Sequence, residues 1–257
     1  MKICIFVFSG TGMTRYVINK LSPEFEKQQA QCDFYDVENT TASDVSISGY
    51  DMVGIAYPVH SFNAPKIVID FIKKLPPGNG LDTFIVCTAG EYSRLNFASS
   101  RLLIKLLRNK GYNIFYDRQI EMPSNFIVRD DDDTVRRKLQ KACSDIPTVA
   151  DEIHNRVQNK IKAGVLIRLV AFLGRAEWLG TNWIGKYIYA DRNCDFCGLC
   201  VDKCPNRNIS YENEIIKFNK KCGLCMRCFY ICPNRAIKIR KPFKSLVFEK
   251  WYEDFVK

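Results

Sequence analysis

The sequence predicts an α/β domain with a doubly wound, five-stranded parallel sheet, followed by a small α+β domain rich in cysteine. Apolar runs alternate with amphipathic segments over residues 1–160, and eight of the twelve cysteines lie between residues 194 and 232. A chain of 257 residues is long enough to bury a core in each of two modest domains. The predicted segments are the α/β domain (1–160), a helical connector (161–190), the cysteine-rich domain (191–241) and a C-terminal tail (242–257).

The elements predicted for the α/β domain follow from the length and continuity of its apolar runs. Strands are expected at residues 2–8, 31–37, 51–57, 83–88 and 112–116, with an extension of the last strand to residue 122 as the alternative. Helices are expected at residues 13–21, 65–75 and 97–110. Because the strands are near-continuous apolar runs without alternation, helices should cover both faces of their sheet, as in parallel sheets.

The chain between the sheet and the cysteines is expected to be helical. The acidic residues 130–133 would begin a helix whose dipole they complement, and Pro147 is expected to interrupt it and start another. The connector carries an apolar stripe broken by charged residues, and we expect it to pack on one or both domains. Since no run of about eighteen apolar residues occurs, a transmembrane span is not predicted, and a helix lying on a membrane surface is the alternative.

Small and hydroxyl residues mark the end of the first strand, where Ser9-Gly10-Thr11-Gly12-Met13-Thr14 leads into the first helix. Backbone N–H groups and three hydroxyls would converge there on the positive end of the helix dipole, which suits a phosphate group. The segment lacks the lysine of a P-loop and is not Gly-x-Gly-x-x-Gly, so nucleotide hydrolysis and dinucleotide binding are disfavoured. The alternative is a turn that only caps the helix.

The clustered cysteines form two runs of identical spacing, each followed by proline. They are Cys194, Cys197, Cys200 and Cys204, and Cys222, Cys225, Cys228 and Cys232. Three thiolates spaced three residues apart suit three corners of a 4Fe-4S cubane, whose fourth corner needs a distant ligand. Structural zinc is the alternative, but it prefers two separated cysteine pairs.

This double run resembles the motif of bacterial-type ferredoxins, which hold two 4Fe-4S clusters. The resemblance implies that the cysteine before each proline completes the cluster of the other run. One cluster would take Cys194, Cys197, Cys200 and Cys232, and the second Cys222, Cys225, Cys228 and Cys204. Residues 209–211 and 215–218 are expected to pair as a hairpin within this pseudo-repeat. The aromatic residues expected to pack around the clusters are Phe196, Tyr211, Phe229 and Tyr230.

The segment after the first strand resembles the Ser/Thr-x-Thr-Gly-x-Thr phosphate loop of flavodoxins, whose fold places FMN beyond the carboxyl ends of the strands. The resemblance implies that two later loops contact the isoalloxazine ring. Their residues are Tyr57, Pro58, Val59, His60, Phe62 and Asn63, and Thr88, Ala89, Gly90, Glu91 and Tyr92. Met13 stands where flavodoxins commonly have asparagine, and neither loop has the tryptophan that many flavodoxins stack on the ring.

Taken together, the chain resembles the flavodoxin–ferredoxin fusion family, known from anaerobic bacteria and archaea. The resemblance implies an iron–sulfur flavoprotein that passes electrons between FMN, two 4Fe-4S clusters and a redox partner. The alternative is a flavin-dependent reductase of a small organic substrate, fed by its own clusters, with His60, Glu91 and Tyr92 as candidate proton donors. An iron–sulfur redox sensor ranks after both.

The formal net charge of +10 suggests nucleic acid or an anionic surface as a partner. Two oxidised clusters and a flavin phosphate would lower this charge by roughly six units, which disfavours nucleic acid. The basic residues around the cysteines are expected to form either a solvated face or a docking surface for an acidic redox partner. They are Lys203, Arg207, Lys217, Lys220, Lys221, Arg227, Arg235, Lys238, Arg240 and Lys241. Free cysteines and the lack of a signal peptide predict a cytoplasmic protein.

Overall fold

The computed structural model describes residues 1–91, 93–126, 128–161 and 163–246 of the chain. The chain divides into two compact units: unit 1 comprises Met1–Pro123 and Asp131–Arg175, and unit 2 comprises Ser124–Asp130 and Ala176–Lys257. This division differs from the segments expected from the sequence. Residues 124–130 group with unit 2, and the expected connector contributes to both units. Of the expected tail, residues 247–257 lie outside the described residues.

Unit 1 is built on a five-stranded sheet, as predicted from the sequence. Its strands are β1 (Lys2–Val7), β2 (Gln31–Asp36), β3 (Met52–Pro58), β4 (Asp82–Ala89) and β5 (Asn113–Glu121). All neighbouring strands pair in parallel, and their order across the sheet is β2-β1-β3-β4-β5. This is the strand order of the flavodoxin-like doubly wound fold, in which ligands bind where the order reverses, between β1 and β3.

Helices connect these strands and cover the sheet. They are α1 (Met13–Lys27), α2 (Lys66–Lys74), α3 (Arg101–Asn109), α4 (Asp132–His154) and α5 (Val165–Gly174). The right-handed crossover from β1 to β2 runs across the sheet in the opposite direction to those from β3 to β4 and from β4 to β5. α1 therefore lies on one face of the sheet, and α2 and α3 lie on the other. α4 packs against α1, and α2 packs against α3. Residues 3–7 of β1 are therefore completely buried.

The prediction that Pro147 interrupts a helix was wrong, because α4 continues through it to His154. A proline inside a helix removes one backbone hydrogen bond and crowds the preceding turn. On both sides of Pro147, however, α4 buries apolar side chains, among them Ile146, Val149 and Ile153. The burial of this apolar face outweighs the cost of the proline.

The helix α5 leaves most of its apolar stripe exposed. Ala171 is its buried residue, and the helix packs on the 3-10 turn Arg94–Ala98. Val165 and Leu166, in contrast, are 81% and 73% exposed. The packing expected for the connector is thus found on one side of α5. Every helix in the described part of the chain is too short or too polar to span a bilayer.

Unit 2 contains the same small motif twice. Its elements are β6 (Asn125–Phe126), β7 (Val128–Arg129), α6 (Glu177–Ile184), β8 (Ile188–Ala190), α7 (Leu199–Asp202), β9 (Ile209–Glu212), β10 (Ile215–Phe218), α8 (Arg227–Tyr230) and β11 (Ile237–Ile239). The strand before each cysteine run pairs antiparallel with the strand after the other run: β8 with β11, and β10 with β9. The hairpin predicted within residues 209–218 is confirmed. β8 was not predicted and lies within the expected connector.

Candidate functional site

The loop between β1 and α1 ends in a glycine that caps the helix. Gly12 is the N-cap of α1 and has a φ of 97°, a left-handed value that glycine adopts readily. The N-cap offers no side-chain acceptor to the helix, and the first turn contains no acidic residue. The N–H of Arg15 donates to Ser9 Oγ at 3.2 Å. The positive end of this 15-residue helix therefore faces the loop.

Hydrogen bonds tie this loop to the ends of β3 and β4. Thr14 is buried, and its hydroxyl bonds to the hydroxyl of Thr88 at 2.8 Å. The N–H of Val59 donates to the carbonyl of Thr88, also at 2.8 Å. The loops after β1, β3 and β4 thus meet at one edge of the sheet, where the strand order reverses. Thr14, expected at the sequence level to face a phosphate, has its hydroxyl engaged in joining two of these loops.

The loop after β3 ends in a tight turn. His60 and Asn63 exchange backbone hydrogen bonds of 2.8 Å, and Ser61 and Phe62 between them have φ values of 40° and 63°. Positive φ at both central residues is the type I′ pattern. The turn carries the half-buried Phe62 at its tip. Asn63 is buried, and its amide donates to the carbonyls of Ser61 (2.9 Å) and Ala171 (2.7 Å), so it anchors the turn to α5.

Burial shifts the pKa of two residues that were expected to contact the ring, Tyr57 and His60. Tyr57 is completely buried in the core of unit 1, and burial raises the pKa of its phenol well above the ordinary value. It therefore supports the sheet and has no surface to offer a ring. Burial lowers the pKa of His60 to about 4, so this imidazole is neutral at pH 7. A neutral imidazole is a poor source of protons, which weighs against His60 as a general acid.

Polar side chains hold the carbonyl groups of the loop after β4. The carbonyl of Glu91 accepts from Gln119 Nε2 at 3.0 Å and from Asn96 Nδ2 at 3.1 Å. Lys138 Nζ donates to the carbonyl of Gly90. Because the C=O and N–H of a trans peptide point in opposite directions, the N–H of Glu91 points away from Lys138. The side chain of Glu91 is exposed, and Tyr92, the remaining candidate of this loop, lies outside the described residues.

Lys138 was not identified as a site residue from the sequence, although a signal was present. It lies on the buried face of α4, three residues after Val135 and four before Ala142, both of which are buried. Its own exposure is only 9%, and its ammonium group lies 3.6 Å from the carboxylate of Glu121. A lysine on the apolar stripe of a helix needs a buried polar partner, which here is the loop that follows β4.

In unit 2, the eight clustered cysteines gather into two groups. Burial, together with the nearby charges of Cys194, Cys232 and Cys197, raises the pKa of Cys200 to about 11. Three of these four residues come from the first run and one, Cys232, comes from the second. They are the four cysteines that the resemblance to ferredoxins assigns to one cluster.

The second group surrounds a small cavity. The cavity has a volume of about 30 Å³, and its lining includes Cys204, Cys222, Cys225 and Cys228. Burial, with the charges of Cys225 and Cys204, raises the pKa of Cys222 to about 12. Burial and the neighbouring thiols also place the pKa of Cys228 well above its ordinary value. Thiolates packed this closely repel one another, and a bound cation would relieve that repulsion.

The two halves of unit 2 also share their backbone conformation at positions 28 residues apart, the separation of Cys194 and Cys222. The matched positions with left-handed φ are Phe196 (59°) and Leu224 (46°), Gly198 (78°) and Met226 (62°), and Arg207 (46°) and Arg235 (48°). The N–H of Asn208 donates to Cys204 Sγ, and that of Ala236 to Cys232 Sγ, both at 3.2 Å. Left-handed backbone at non-glycine residues is strained, and its repetition indicates that both loops are shaped for the same task.

Within the described residues, no three His, Cys, Asp or Glu side chains converge closely enough to hold a metal ion. One tetrahedral ion with metal–sulfur distances of about 2.3 Å draws its ligands to within roughly 4 Å of one another. A cubane distributes its four thiolates over four irons and so separates them further. The two kinds of site therefore differ in how far apart they hold their four sulfurs.

The surface around the cysteines is basic. Of the ten lysines and arginines identified there, all are exposed except Arg227 and Lys238, which are half-buried. The expected burial of aromatic residues near the cysteines holds for Phe229, which is 1% exposed. It was wrong for Phe196 and Tyr211, which are 44% and 48% exposed and contact each other with ring centroids 5.9 Å apart.

No protein family model matches the chain, and no curated protein matches it. Among solved structures, a flavodoxin from the domain Archaea has 10% identity and a TM-score of 0.41, over 60% of this chain and 99% of its own. The two-electron reduced flavodoxin of Megasphaera elsdenii has 16% identity and a TM-score of 0.40, over 55% and 98%. Rubredoxin oxygen:oxidoreductase from the anaerobe Desulfovibrio gigas has 15% identity and a TM-score of 0.43 over 61% of this chain, which spans 37% of that protein's length.

Proposed function

We propose that the chain is an electron-transfer protein in which unit 1 binds FMN and unit 2 holds two 4Fe-4S clusters. The observation that carries the proposal is the gathering of eight cysteines into two groups of four. Each group takes three thiols from one run and its fourth from the other, Cys232 or Cys204. This exchange is the ligand pattern of two-cluster ferredoxins.

In unit 1, three loops at the reversal of strand order would hold FMN. Ser9, Thr11 and the N–H groups around Gly12 would bind the phosphate at the positive end of α1. Phe62 is the described aromatic side chain of these loops that would stack on the ring. Lys138 would act indirectly, since its bond to the Gly90 carbonyl orients the loop beside the ring. When bound, FMN exchanges electrons singly or in pairs, whereas each cluster exchanges one at a time.

In unit 2, the protein would tune the clusters through hydrogen bonds and charge. The N–H groups of Asn208, Leu224 and Ala236 donate to the sulfurs of Cys204, Cys222 and Cys232. Such bonds stabilise negative charge on sulfur and, with the basic surface, favour the reduced clusters. The same basic surface would attract an acidic redox partner and increase its rate of association.

An electron carrier fits the described residues better than a reductase with its own substrate. A reductase needs a proton donor beside the ring. His60 is neutral at pH 7 because burial lowers its pKa to about 4, and Glu91 is exposed to solvent. A carrier needs no such donor, so we propose transfer between FMN, the two clusters and a partner.

Anaerobic purification followed by metal, sulfide and flavin assays tests the cofactors. We expect about eight irons and eight sulfides per chain, from two 4Fe-4S clusters, together with one FMN. Cys204→Ser and Cys232→Ser should each alter a different cluster, as resolved by electron paramagnetic resonance of the reduced protein. Cys143→Ser, an exposed thiol outside both runs, is the matched control and should change neither cluster. Zinc in place of iron would refute the cluster assignment.

The binding of FMN against riboflavin, which lacks the phosphate, tests the loop between β1 and α1. Thr11→Glu places a carboxylate at the expected phosphate position and should weaken FMN binding by at least about tenfold, while riboflavin binding changes little. Thr41→Glu, at an exposed threonine, is the control. Equal losses for both flavins would place the phosphate elsewhere.

Rapid photoreduction of the clusters tests electron transfer within the chain. We expect the flavin absorbance to bleach after the cluster absorbance. Because transfer within one molecule is first order, the rate constant of flavin bleaching should not depend on protein concentration. A flavin that stays oxidised while both clusters are reduced would contradict transfer between them.

A further inference from the structure

A groove in unit 1 lies outside the loops assigned to FMN. It has a volume of about 520 Å³ and is lined by residues of α3 and β5 together with Lys160, Ile161, Ala163 and Arg168. This volume falls within the range of small-molecule sites, about 300–1,000 Å³. None of the residues that line it belongs to the loops 9–14, 57–63 and 88–92.

The lining of this groove is strongly basic. Its cationic residues are Arg101, Lys105, Arg108, Lys160 and Arg168, and Asp117 is its one acidic residue among those described. Three of the cations occupy a single face of α3, since they are spaced four and three residues apart. In the described part of the chain, the salt bridges include none made by these five side chains.

The stability of α3 does not explain this arrangement. Arg101 occupies the first turn of the helix, where the dipole disfavours a cation, and that turn contains no acidic residue. Lys105 lies four residues after Arg101 and three before Arg108, so like charges repel along the same face. A bound anion would compensate both effects, whereas a helix selected only for stability would avoid them.

The floor of the groove differs from its rim. The floor is partly apolar because it contains Phe97, Ile104 and Ile114. Asp117 is 1% exposed; one of its carboxylate oxygens accepts from Ser100 Oγ, and Oδ1 has no hydrogen-bond partner within the described residues. This carboxylate is therefore covered, so a ligand in the groove meets the basic rim and the apolar part of the floor.

We infer that this groove binds a small organic anion of about nucleotide size. Its phosphate or carboxylate groups face the cations of α3, Lys160 and Arg168, and its less polar part lies on the floor. Arginine presents a planar pair of N–H donors that matches both kinds of anion, while lysine contributes a compact charge.

Calorimetry on the full-length protein with its cofactors bound tests the groove, with ADP, pyrophosphate and citrate as probes. We expect one site that binds ADP more tightly than pyrophosphate if the anion is a phosphate, or one that prefers citrate if it is a carboxylate. Lys105→Glu should weaken the preferred probe at least tenfold, and Lys105→Arg should retain it. FMN content, measured in every variant, verifies that unit 1 remains folded.

Lys20→Glu, which makes the same charge change at an exposed position on α1, is the matched control. This control distinguishes binding at a defined site from nonspecific electrostatic attraction to a basic protein. Retention of binding in this control, with loss in Lys105→Glu, supports the groove. Equal losses in the two variants, unchanged binding in Lys105→Glu, or no heat of binding with any of the three probes would overturn the inference.

Discussion

The two units achieve their folds by different means. Unit 1 is built on a sheet whose central strands are covered on both faces, and residues such as Phe6 and Phe84 are completely buried. Unit 2 has strands of only two to four residues and a small core that includes Cys200. Seven of the twelve described non-glycine residues with left-handed φ lie in unit 2. Unit 1 can therefore fold on apolar burial, whereas we expect unit 2 to depend on the proposed clusters to hold its loops.

Removal of the clusters should have the largest effect and should separate the two units. Metal binding supplies about 10 kcal/mol or more to small metal-dependent domains, which exceeds what the core of unit 2 offers. After anaerobic oxidation and chelation, we expect the backbone amides of residues 191–241 to lose protection from hydrogen exchange while the sheet of unit 1 keeps it. Removal of FMN alone is the control and should leave unit 2 protected. Equal protection of both units after cluster loss would contradict this comparison.

One buried acid should make the stability of unit 1 depend on pH. Burial raises the pKa of Asp117 to about 6, against an ordinary value of 3.8. The folded state therefore keeps a proton that the unfolded state releases between these values, and stability falls as the pH rises through this window. From this group we expect a loss of about 2 kcal/mol between pH 4 and pH 7. Urea unfolding followed by circular dichroism at several pH values measures it.

The variant Asp117→Asn isolates this contribution, since other groups also titrate in the same range. The difference in unfolding free energy between variant and wild type should grow in favour of the variant as the pH rises from 4 to 7. Asp44→Asn, at an exposed carboxylate, should show no such trend. A difference for Asp117→Asn that is constant across the range would rule out the proposed titration.

Each unit contains a glycine that lies too close to another side chain to accept a Cβ atom, and we expect its replacement by alanine to have a different effect in each unit. A Cβ on Gly54 in β3 would overlap the ring of Phe84 in β4, so Gly54→Ala overpacks the centre of the sheet. We expect it to destabilise unit 1 by about 2 kcal/mol, measured by urea unfolding. Gly164→Ala is the matched control, because no atom lies within 4 Å of the added carbon. A loss no larger than that of the control would show that the sheet relaxes freely.

The same change in unit 2 should affect cofactor content instead. A Cβ on Gly185 would overlap Cβ of Cys222, one of the cysteines that line the small cavity. We expect Gly185→Ala to reduce the iron content or to alter the resonance of one cluster, while the unfolding of unit 1 stays unchanged. Gly180→Ala, on the neighbouring helix and with open space around it, serves as control. Full iron content with unaltered spectra in Gly185→Ala would contradict the proposal.

Local patterns in the sequence predicted much of this molecule. Continuous apolar runs identified all five strands of unit 1; residues 51–57, for example, were expected where β3 spans Met52–Pro58. Cysteine spacing identified both runs of unit 2. Periodicity could not reveal contacts between distant residues, such as the bond from Thr14 to Thr88 or the bond from Lys138 to Gly90. Nor could it show that Tyr57 is a core residue, because a phenol suits both a core and a binding loop.

The smallest expected effect concerns the strained loops of unit 2. Arg207 and Arg235 are exposed and have φ values of 46° and 48°, which glycine adopts at lower cost. The left-handed penalty is about 1–2 kcal/mol, and the added entropy of glycine in the unfolded chain offsets part of it. Arg207→Gly should therefore stabilise unit 2 by roughly 0.5–1 kcal/mol and slow the loss of cluster absorbance in guanidinium under nitrogen.

Lys238→Gly is the matched control for this change, because Lys238 lies in β11 and not at a left-handed position. There glycine weakens the strand, so the cluster absorbance should be lost faster than in the wild type. Opposite effects of the same substitution would show that backbone strain, and not the removal of positive charge, sets the result. If both variants lost their clusters faster, the Arg207 side chain would stabilise unit 2 by more than its left-handed backbone destabilises it. Backbone strain would then not distinguish the two units, and their difference would depend on the clusters alone.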